Sequence, residues 1–503
     1  MSPRCKGISV VATLVAVVLL ATLAGRLNQT RAAGLADDKA AGNQTATTTQ
    51  KDQIDLAVTV YNSNLALVRD VRQIRLPAGV FPLRFEDVAA SINPATVHFR
   101  SLTDPAKLSV VEQNYEYDLL DPQKLLQKYV GREVTLVRQE RDAGSTKWVE
   151  TKALLLADNN GPVWKIGDEI VTGMGADSYR FPDLPANLYS RPTLVWTLEN
   201  RATPSQREER QRVEASYLTS NVNWSADYVL TVARDEKTAD LDGWVTLVNN
   251  SGAAYENAKL QLVAGEVHRA GRARGFALEE MVANKAASAP PLQFQQEGFS
   301  EYHLYTLQRR TSIQDKESKQ ISLLTATNVP VEKYLQVEGQ PYYYRNPQGI
   351  GNAIPQPVMV FYRFKNDEKS NLGMPLPAGT VRVYQADSHG GTQFAGEDTI
   401  AHTPKDETLR IYVGNAFDVV CERKQTDYRR LASNLYEMEY QITLRNHKDG
   451  PVTVEVREPV GGDWEVVNSN YKWTKLDATT IGFSIPVQKD GVATLDYRVR
   501  VKW

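Results

Sequence analysis

The C-terminal segment TLDYRVRVKW, residues Thr494–Trp503, alternates strictly between apolar and polar side chains. One set of alternate positions is apolar: Leu495, Tyr497, Val499, Val501 and Trp503. The segment VTVEVREPV, residues Val452–Val460, shows the same period, with valines at positions 452, 454 and 456. A period of two places successive side chains on opposite faces of a strand, so these segments predict a sheet with one buried and one hydrated face.

Similar short segments, separated by turn sequences, continue from residue 54 to the C-terminus. The turns HKDG (His447–Gly450) and QKDG (Gln488–Gly491) separate strands at the spacing of a β-sandwich. Two stretches, which begin at Gly243 and Tyr440, share the plan of strand, Asn-rich turn and strand. The sequence therefore predicts a mainly β protein with tandem Ig-like β-sandwich modules and few short helices.

The pattern divides the chain into a series of predicted domains. Residues 54–212 form an N-terminal β domain, 213–355 a first sandwich module and 356–503 a C-terminal sandwich module. Residues 268–300 lose the alternation and predict a mobile loop within the first module.

Within the N-terminal domain, residues 119–172 predict a small separate barrel. A helix start at Asp121–Pro122 precedes Leu125, Leu126 and Tyr129, which fall at helical spacing. Several short strand-like segments follow. A short helix before four or five strands resembles an Sm-like or SH3-like barrel, interpreted here as a structural or protein-binding insertion.

The N-terminus favours export. Arg4 and Lys6 precede an apolar run from Ile8 to Ala24, so residues 1–24 predict a secretory signal peptide. An uncleaved membrane anchor is the second interpretation, since the 17 residues of this run reach the lower limit for spanning a bilayer. Residues 25–53 are polar and without periodicity, and they predict a flexible linker. Both interpretations place the protein in the periplasm or outside the cell, with membrane contact only through this segment.

Charge and cysteine content limit the function classes. The 58 Lys and Arg residues nearly balance 60 Asp and Glu residues, which argues against a nucleic-acid partner. Only Cys421 would remain after signal cleavage, so no internal disulfide is expected. Its apolar neighbourhood favours a buried side chain over a nucleophile.

Several longer blocks resemble one family. These blocks are SYLTSNVNWSADYVL (Ser216–Leu230), GWVTLVNNSG (Gly243–Gly252), LGMPLPAGTVRVYQAD (Leu372–Asp387), FAGEDTIAHTPKDE (Phe394–Glu407) and GNAFDVVCERKQTD (Gly414–Asp427). They are similar to the bacterial domain-of-unknown-function family numbered four-one-three-nine, some relatives of which are called mucoidy inhibitor-like. The resemblance runs from about Val213 to Trp503 and implies an exported, mainly β protein; it supplies no reaction and no catalytic residues.

One polar cluster is the candidate metal site. It comprises Asp387, His389, Glu397, Asp398 and His402. A turn at Gly390–Gly391 could bring its two halves together, and imidazole with carboxylate suits zinc or manganese. The competing interpretation is an ordinary hairpin loop, whose polar residues need no function.

Two further features have both structural and functional interpretations. The segment CERKQTD (Cys421–Asp427) is interpreted as a solvated rim, with a docking patch as the alternative. Five tryptophans could form a sugar-stacking platform, although burial in the core is favoured: Trp224, Trp244, Trp464, Trp473 and Trp503.

No phosphate-binding loop, nucleophile elbow, HExxH or CxxC motif occurs. We therefore expect a non-enzymatic cell-envelope protein without cofactors, which binds or scaffolds an envelope protein or polymer. The alternatives are a metal-dependent hydrolase that uses Asp387, His389 and His402, and a glycan-binding module that uses exposed aromatic residues.

Overall fold

The computed structural model describes residues 45–503 except 117–120, 143–144, 186–188, 190, 203–209, 266, 268–292 and 388. The predicted signal peptide and residues 25–44 of the predicted linker lie outside this range. In the part of the chain that is described, no helix combines the length and the apolar character needed to cross a membrane.

The described residues form 33 strands. The first sixteen are β1 (Ala46–Thr48), β2 (Gln53–Tyr61), β3 (Leu65–Ile74), β4 (Gly79–Glu86), β5 (His98–Ser101), β6 (Leu108–Glu116), β7 (Glu133–Asp142), β8 (Ser145–Asp158), β9 (Pro162–Ile166), β10 (Glu169–Thr172), β11 (Ser178–Arg180), β12 (Thr193–Asn200), β13 (Gln211–Ser220), β14 (Val222–Val232), β15 (Thr238–Asn249) and β16 (Tyr255–Ala264). The others are β17 (Phe294–Phe299), β18 (Tyr302–Leu307), β19 (Thr311–Ile313), β20 (Glu317–Pro330), β21 (Glu332–Glu338), β22 (Ala353–Gln356), β23 (Met359–Lys365), β24 (Gly379–Ala386), β25 (Thr392–Ile400), β26 (Thr408–Asn415), β27 (Val419–Arg430), β28 (Leu435–Asn446), β29 (Val452–Pro459), β30 (Asp463–Ser469), β31 (Trp473–Lys475), β32 (Thr480–Val487) and β33 (Val492–Lys502).

Helical structure is sparse, as the sequence predicts. The described residues contain one α-helix, α1 (Pro122–Lys128), and a few 3-10 turns: Gln50–Asp52, Pro94–Thr96, Pro341–Tyr344 and Glu368–Ser370.

The strands assemble into six sheets. Sheet A has the order β1-β4-β12-β6, sheet B β10-β9-β8-β7-β11, and sheet C β17-β18-β16-β2-β3-β13-β5, with β19 beside β16. Sheet D has the order β20-β15-β14-β24-β25, sheet E β26-β23-β21-β29-β32-β31, and sheet F β22-β27-β28-β33-β30. The mainly β fold is therefore confirmed, with three hydrophobic cores.

Sheets A, C and D share the first of three hydrophobic cores, and Tyr362, Phe364, Leu409 and Ile411 of sheet E also pack into it. Sheet C contacts sheet A through Phe99 and Trp196, whose ring centroids are 4.5 Å apart. It contacts sheet D through Trp224, whose indole N–H donates to the Val263 carbonyl. Sheets E and F enclose the second core.

Sheet B and α1 enclose a separate third core. The predicted helix start is confirmed, since the Asp121 carboxylate accepts hydrogen bonds from the Gln123 and Lys124 amides. Tyr129 lies in this core, as its spacing predicts. In the described residues, however, sheet B remains open between its edge strands β10 and β11 and does not close into the predicted barrel.

Two segments are more ordered than the sequence predicts. Strand β1 lies inside the predicted linker 25–53. It is ordered because it pairs in parallel with β4, which supplies its hydrogen-bond partners. Strand β17 lies inside the predicted loop 268–300 and pairs with β18. Residues 268–292 of that loop lie outside the described range.

The predicted boundaries at residues 213 and 356 do not separate the structural units. Sheet C combines strands from both sides of residue 213, and β13 pairs with β3. Beyond residue 356, β24 returns to pair with β14 in sheet D, whereas β21 pairs with the distant β29 in sheet E. Each of these parallel pairs joins a strand of the first predicted sandwich module to a strand of the C-terminal one. The two modules are therefore interleaved and not consecutive.

The two similar sequence stretches do have matching structural roles. Both cross from one sheet to the other at a buried asparagine, Asn249 or Asn446. Each side-chain oxygen accepts from the amide two residues later, and each side-chain amide donates to the carbonyl four residues later. These bonds satisfy the backbone where a strand leaves its sheet.

A buried ion pair joins the two sheets of the second core. Arg423 of β27 and Glu458 of β29 form a salt bridge, with 2% and 0% of their side-chain surfaces exposed. Arg423 Nε also donates to Gln356 Oε1 at 3.0 Å, and its guanidinium lies 4.9 Å from the Tyr343 ring. Arg423 thus corrects the interpretation of residues 421–427 as a solvated rim, because its side chain points into the core.

Two tyrosines extend the polar group around Glu458. The Tyr344 hydroxyl donates to the carboxylate and lies 2.8 Å from the Tyr497 hydroxyl. Burial raises the pKa of both tyrosines, so both remain protonated. Burial alone would lower the pKa of Arg423, but the neighbouring Glu458 carboxylate raises it above its ordinary value.

Replacing Arg423 by Met should lower the free energy of unfolding by roughly 3–5 kcal/mol, because Glu458 is then a buried charge without its partner. Chemical denaturation measures this loss. Arg445→Met is the matched control: Arg445 pairs with Glu422 on the exposed side of β27, where a salt bridge contributes about 0–1 kcal/mol. Equal losses in the two variants would contradict a special role for the buried pair.

Candidate functional site

The predicted metal cluster is divided between the two ends of the β24–β25 hairpin. Asp387 lies at the hairpin turn, where its Oδ1 accepts from the amides of His389 and Gly391 and its Oδ2 from the side chain of Gln393. These bonds lower the pKa of Asp387, that from Gln393 most strongly. The carboxylate therefore organises the turn.

The other half of the cluster lies at the opposite end. The hairpin register pairs Ala386 with Thr392 near the turn and Gly379 with Ile400 far from it, a separation of about 23 Å along the strand. Asp398 Oδ2 accepts from the Tyr412 amide at 2.8 Å.

His402, beyond the far end, is held by local hydrogen bonds. Its Nδ1 accepts from the Ala378 amide at 3.1 Å, and burial lowers its pKa. Within the residues that the structure describes, no three His, Cys, Asp or Glu side chains are grouped as a metal site would require. The structure does not bring Asp387, His389, Asp398 and His402 together.

The charged residues on the exposed side of β27 are also paired locally. Arg445 donates two hydrogen bonds to the Glu422 carboxylate. Arg498 contacts Asp427, and it also donates to Glu437 and Glu439 of β28. This outer face of sheet F is a network of compensated charges.

The five tryptophans have different environments. Trp224 is buried in the first core, as predicted. Trp464 and Trp473 contact each other edge to face beside an open depression of about 490 Å³ lined by residues 466–473. Arg345 lies 4.9 Å above the Trp503 ring. The Trp464 and Trp473 rings are inclined to each other at 68° and so form no flat platform, and Arg345 lies over the Trp503 ring.

Trp244 differs because it is exposed in the middle of a sheet. It lies on β15, between β20 and β14, and 39% of its surface is accessible. Its neighbours Gly243 and Val245 are buried, so strand alternation directs Trp244 to the outer face of sheet D. The expectation of burial is wrong for Trp244, and also for Trp473 and Trp503, which are exposed to nearly the same extent.

Polar side chains beside Trp244 are held in fixed positions. Asp227, directly opposite Trp244 on β14, accepts from Thr246 at 2.8 Å and from Arg382 at 2.9 Å. Arg382 also contacts Glu397 of β25 at 3.4 Å. The two hydrogen bonds and this ion pair join four adjacent strands across the outer face.

A second aromatic pair lies further along the same face. Tyr384 projects outward two residues after Arg382 and contacts Phe394 edge to face, with ring centroids 5.6 Å apart. Phe394 is 57% exposed. We call the outward side chains Trp244, Asp227, Arg382, Glu397, Tyr384 and Phe394 the sheet D face.

The sheet D face depends on the close approach of β24 to β14. Gly379 begins β24, and a Cβ atom at this position would lie 2.1 Å from the Ala226 carbonyl oxygen. Just before it, the Tyr228 hydroxyl donates to the Pro377 carbonyl from within the core. Glycine and the buried tyrosine thus position the strand that carries Arg382 and Tyr384.

The outer face of sheet E provides a contrast. Tyr334 and Phe361 stack with ring centroids 5.3 Å apart, but Arg410 lies 5.0 Å over Phe361 and donates to the Tyr334 hydroxyl. Tyr334 is itself buried. This aromatic group is already covered by side chains of the protein.

Comparison with known proteins identifies one family. The model of the family described as Domain of unknown function (DUF4139) matches residues 213–465. No match is found among curated proteins. All five strands of sheet D, and therefore the whole sheet D face, lie within the matched range.

Cys421 is buried in the second core, and burial raises the pKa of its thiol to about 12. At pH 8 we expect no alkylation of Cys421 in the native protein and full alkylation in denaturant, because only the unfolded thiol is accessible and ionises readily. Peptide mass spectrometry measures both states. Phe417→Cys, at a position that is 93% exposed, is the positive control. Rapid native alkylation of Cys421 would contradict its assignment as an inert core residue.

Proposed function

The chain belongs to the DUF4139 family, and we propose that it is an exported cell-envelope protein that binds an envelope partner without catalysing a reaction. The sheet D face is the proposed binding surface. Export is supported by the basic residues and apolar run within residues 1–24.

The observation that carries this proposal is the exposure of Trp244 on an interior strand of sheet D. Removing a large exposed aromatic side chain from water, by covering it with another surface, is favourable and contributes to the free energy of binding. Aromatic residues at the centre of an interface are frequent energetic anchors.

The fixed polar neighbours of Trp244 support the same role. Asp227, Thr246 and Arg382 are already held by one another, so a partner would order few side chains on binding. Preorganisation of this kind lowers the entropic cost of association. The polar groups would then orient the partner through hydrogen bonds, and the Trp244 indole ring would provide contact area.

Trp244→Ala should weaken binding to envelope fractions tenfold or more, since loss of an anchor costs about 2 kcal/mol. Sedimentation of the purified full-length protein with insoluble envelope material measures the bound fraction against concentration. Trp148→Ala is the matched control, because Trp148 is 58% exposed on the separate sheet B. A thermal melt verifies that both variants are folded.

Equal binding by Trp244→Ala and the wild type would overturn the proposal. An equal loss of envelope binding in Trp148→Ala and Trp244→Ala would overturn the assignment of the sheet D face as the binding surface. It would show that loss of any exposed tryptophan has the same effect.

A further inference from the structure

We infer that the partner of the sheet D face is an uncharged carbohydrate chain. This inference rests on the proposed function and adds the chemistry of the ligand. It follows from the spacing of the aromatic rings, the charge of the face and the nature of its polar groups.

The aromatic rings are too far apart for one small ligand. Trp244 lies opposite Asp227, whereas Tyr384 lies beside Thr231, four residues further along β14 and one strand beyond it. With roughly 3.3 Å per residue and 4.8 Å per strand, the two positions are about 16 Å apart. An extended chain of several sugar rings can reach both, whereas a single ring cannot.

The charge of the face disfavours anionic polymers. The charged side chains that point outward from β14, β15, β24 and β25 are four carboxylates and one guanidinium: Asp227, Asp240, Asp242, Glu397 and Arg382. The formal charge of this set is therefore −3. A polymer with repeated phosphate or carboxylate groups would be repelled.

The polar groups suit hydroxyl partners. Asp227 accepts from Thr246 and Arg382, yet each carboxylate oxygen has further acceptor capacity. Asp242, on the same face, accepts from the Thr325 hydroxyl. Paired acceptors and donors at fixed positions can bind neighbouring sugar hydroxyls, while the apolar face of a sugar ring covers Trp244.

A protein partner fits this surface less well. The core of a protein interface is depleted of Asp and Glu, whereas the Asp227 carboxylate lies on β14, the middle strand of sheet D.

Isothermal titration of the full-length protein with defined hexasaccharides tests this inference. The probes are cellohexaose, chitohexaose and mannohexaose as neutral chains, with hexagalacturonate as the anionic chain. We expect saturable binding of at least one neutral probe, weaker or undetectable binding of the anionic one, and less than a twofold change in affinity between 50 and 500 mM NaCl.

The variants locate the binding to the face. Trp244→Ala should weaken the bound neutral probe at least tenfold, Trp244→Tyr should restore affinity to within about threefold of the wild type, and Trp148→Ala should have no effect. Asp227→Asn should weaken binding severalfold with an unchanged melting temperature. Asparagine has nearly the same shape as aspartate, but one of the two acceptor oxygens is replaced by a donor NH₂ group. Binding that survives Trp244→Ala would overturn the inference.

The two proposals fail in distinguishable ways. If envelope binding depends on Trp244 but is abolished by protease treatment of the envelope and not by glycosidases, the partner is a protein; the carbohydrate inference is then overturned while the binding function stands. If envelope binding does not depend on Trp244 and no probe binds, both are overturned.

Discussion

The parallel pairing of β14 with β24 is the contact on which the arrangement of this protein depends. It joins residues 226–232 to residues 379–385, across a connection that contains β15 to β23. Gly379 permits this approach, because any side chain there would collide with the Ala226 carbonyl. The pair completes sheet D, seals one side of the first core and brings Arg382 and Tyr384 to the same surface as Trp244.

Strand alternation made much of the local structure predictable. The inward and outward positions of β29 and β33 follow the period-two pattern, and the helix at Asp121–Pro122 follows from its cap. Alternation assigns a side chain to a face, but it does not identify the neighbouring strand. Parallel pairs across long connections therefore escaped prediction, and with them the interleaving of the proposed modules.

The same pattern contained two signals that the sequence interpretation missed. Arg423 has the same parity as the buried Cys421, and Glu458 continues the apolar face of Val454 and Val456. A single buried charge would destabilise the fold. The opposite charges of Arg423 and Glu458, on strands of two facing sheets, compensate each other. Such a match becomes visible only once the sheets are known to pack together.

Parity also accounts for the outward position of Trp244. In β15 the buried residues Val245 and Leu247 place Trp244 on the outer face, although its apolar character had favoured the core. The predicted metal cluster rests instead on closeness in sequence, and the β24–β25 hairpin separates its members by about the length of one strand.

Fluorine NMR of the protein labelled with 5-fluorotryptophan tests the central claim most directly, since the chain has eight tryptophans with one on the sheet D face. The Trp244 signal is assigned by its absence in Trp244→Tyr. On addition of solubilised envelope glycan we predict a saturable shift of the Trp244 signal, with those of Trp148, Trp464 and Trp473 unchanged. A shift of the other signals with Trp244 unmoved would contradict the account.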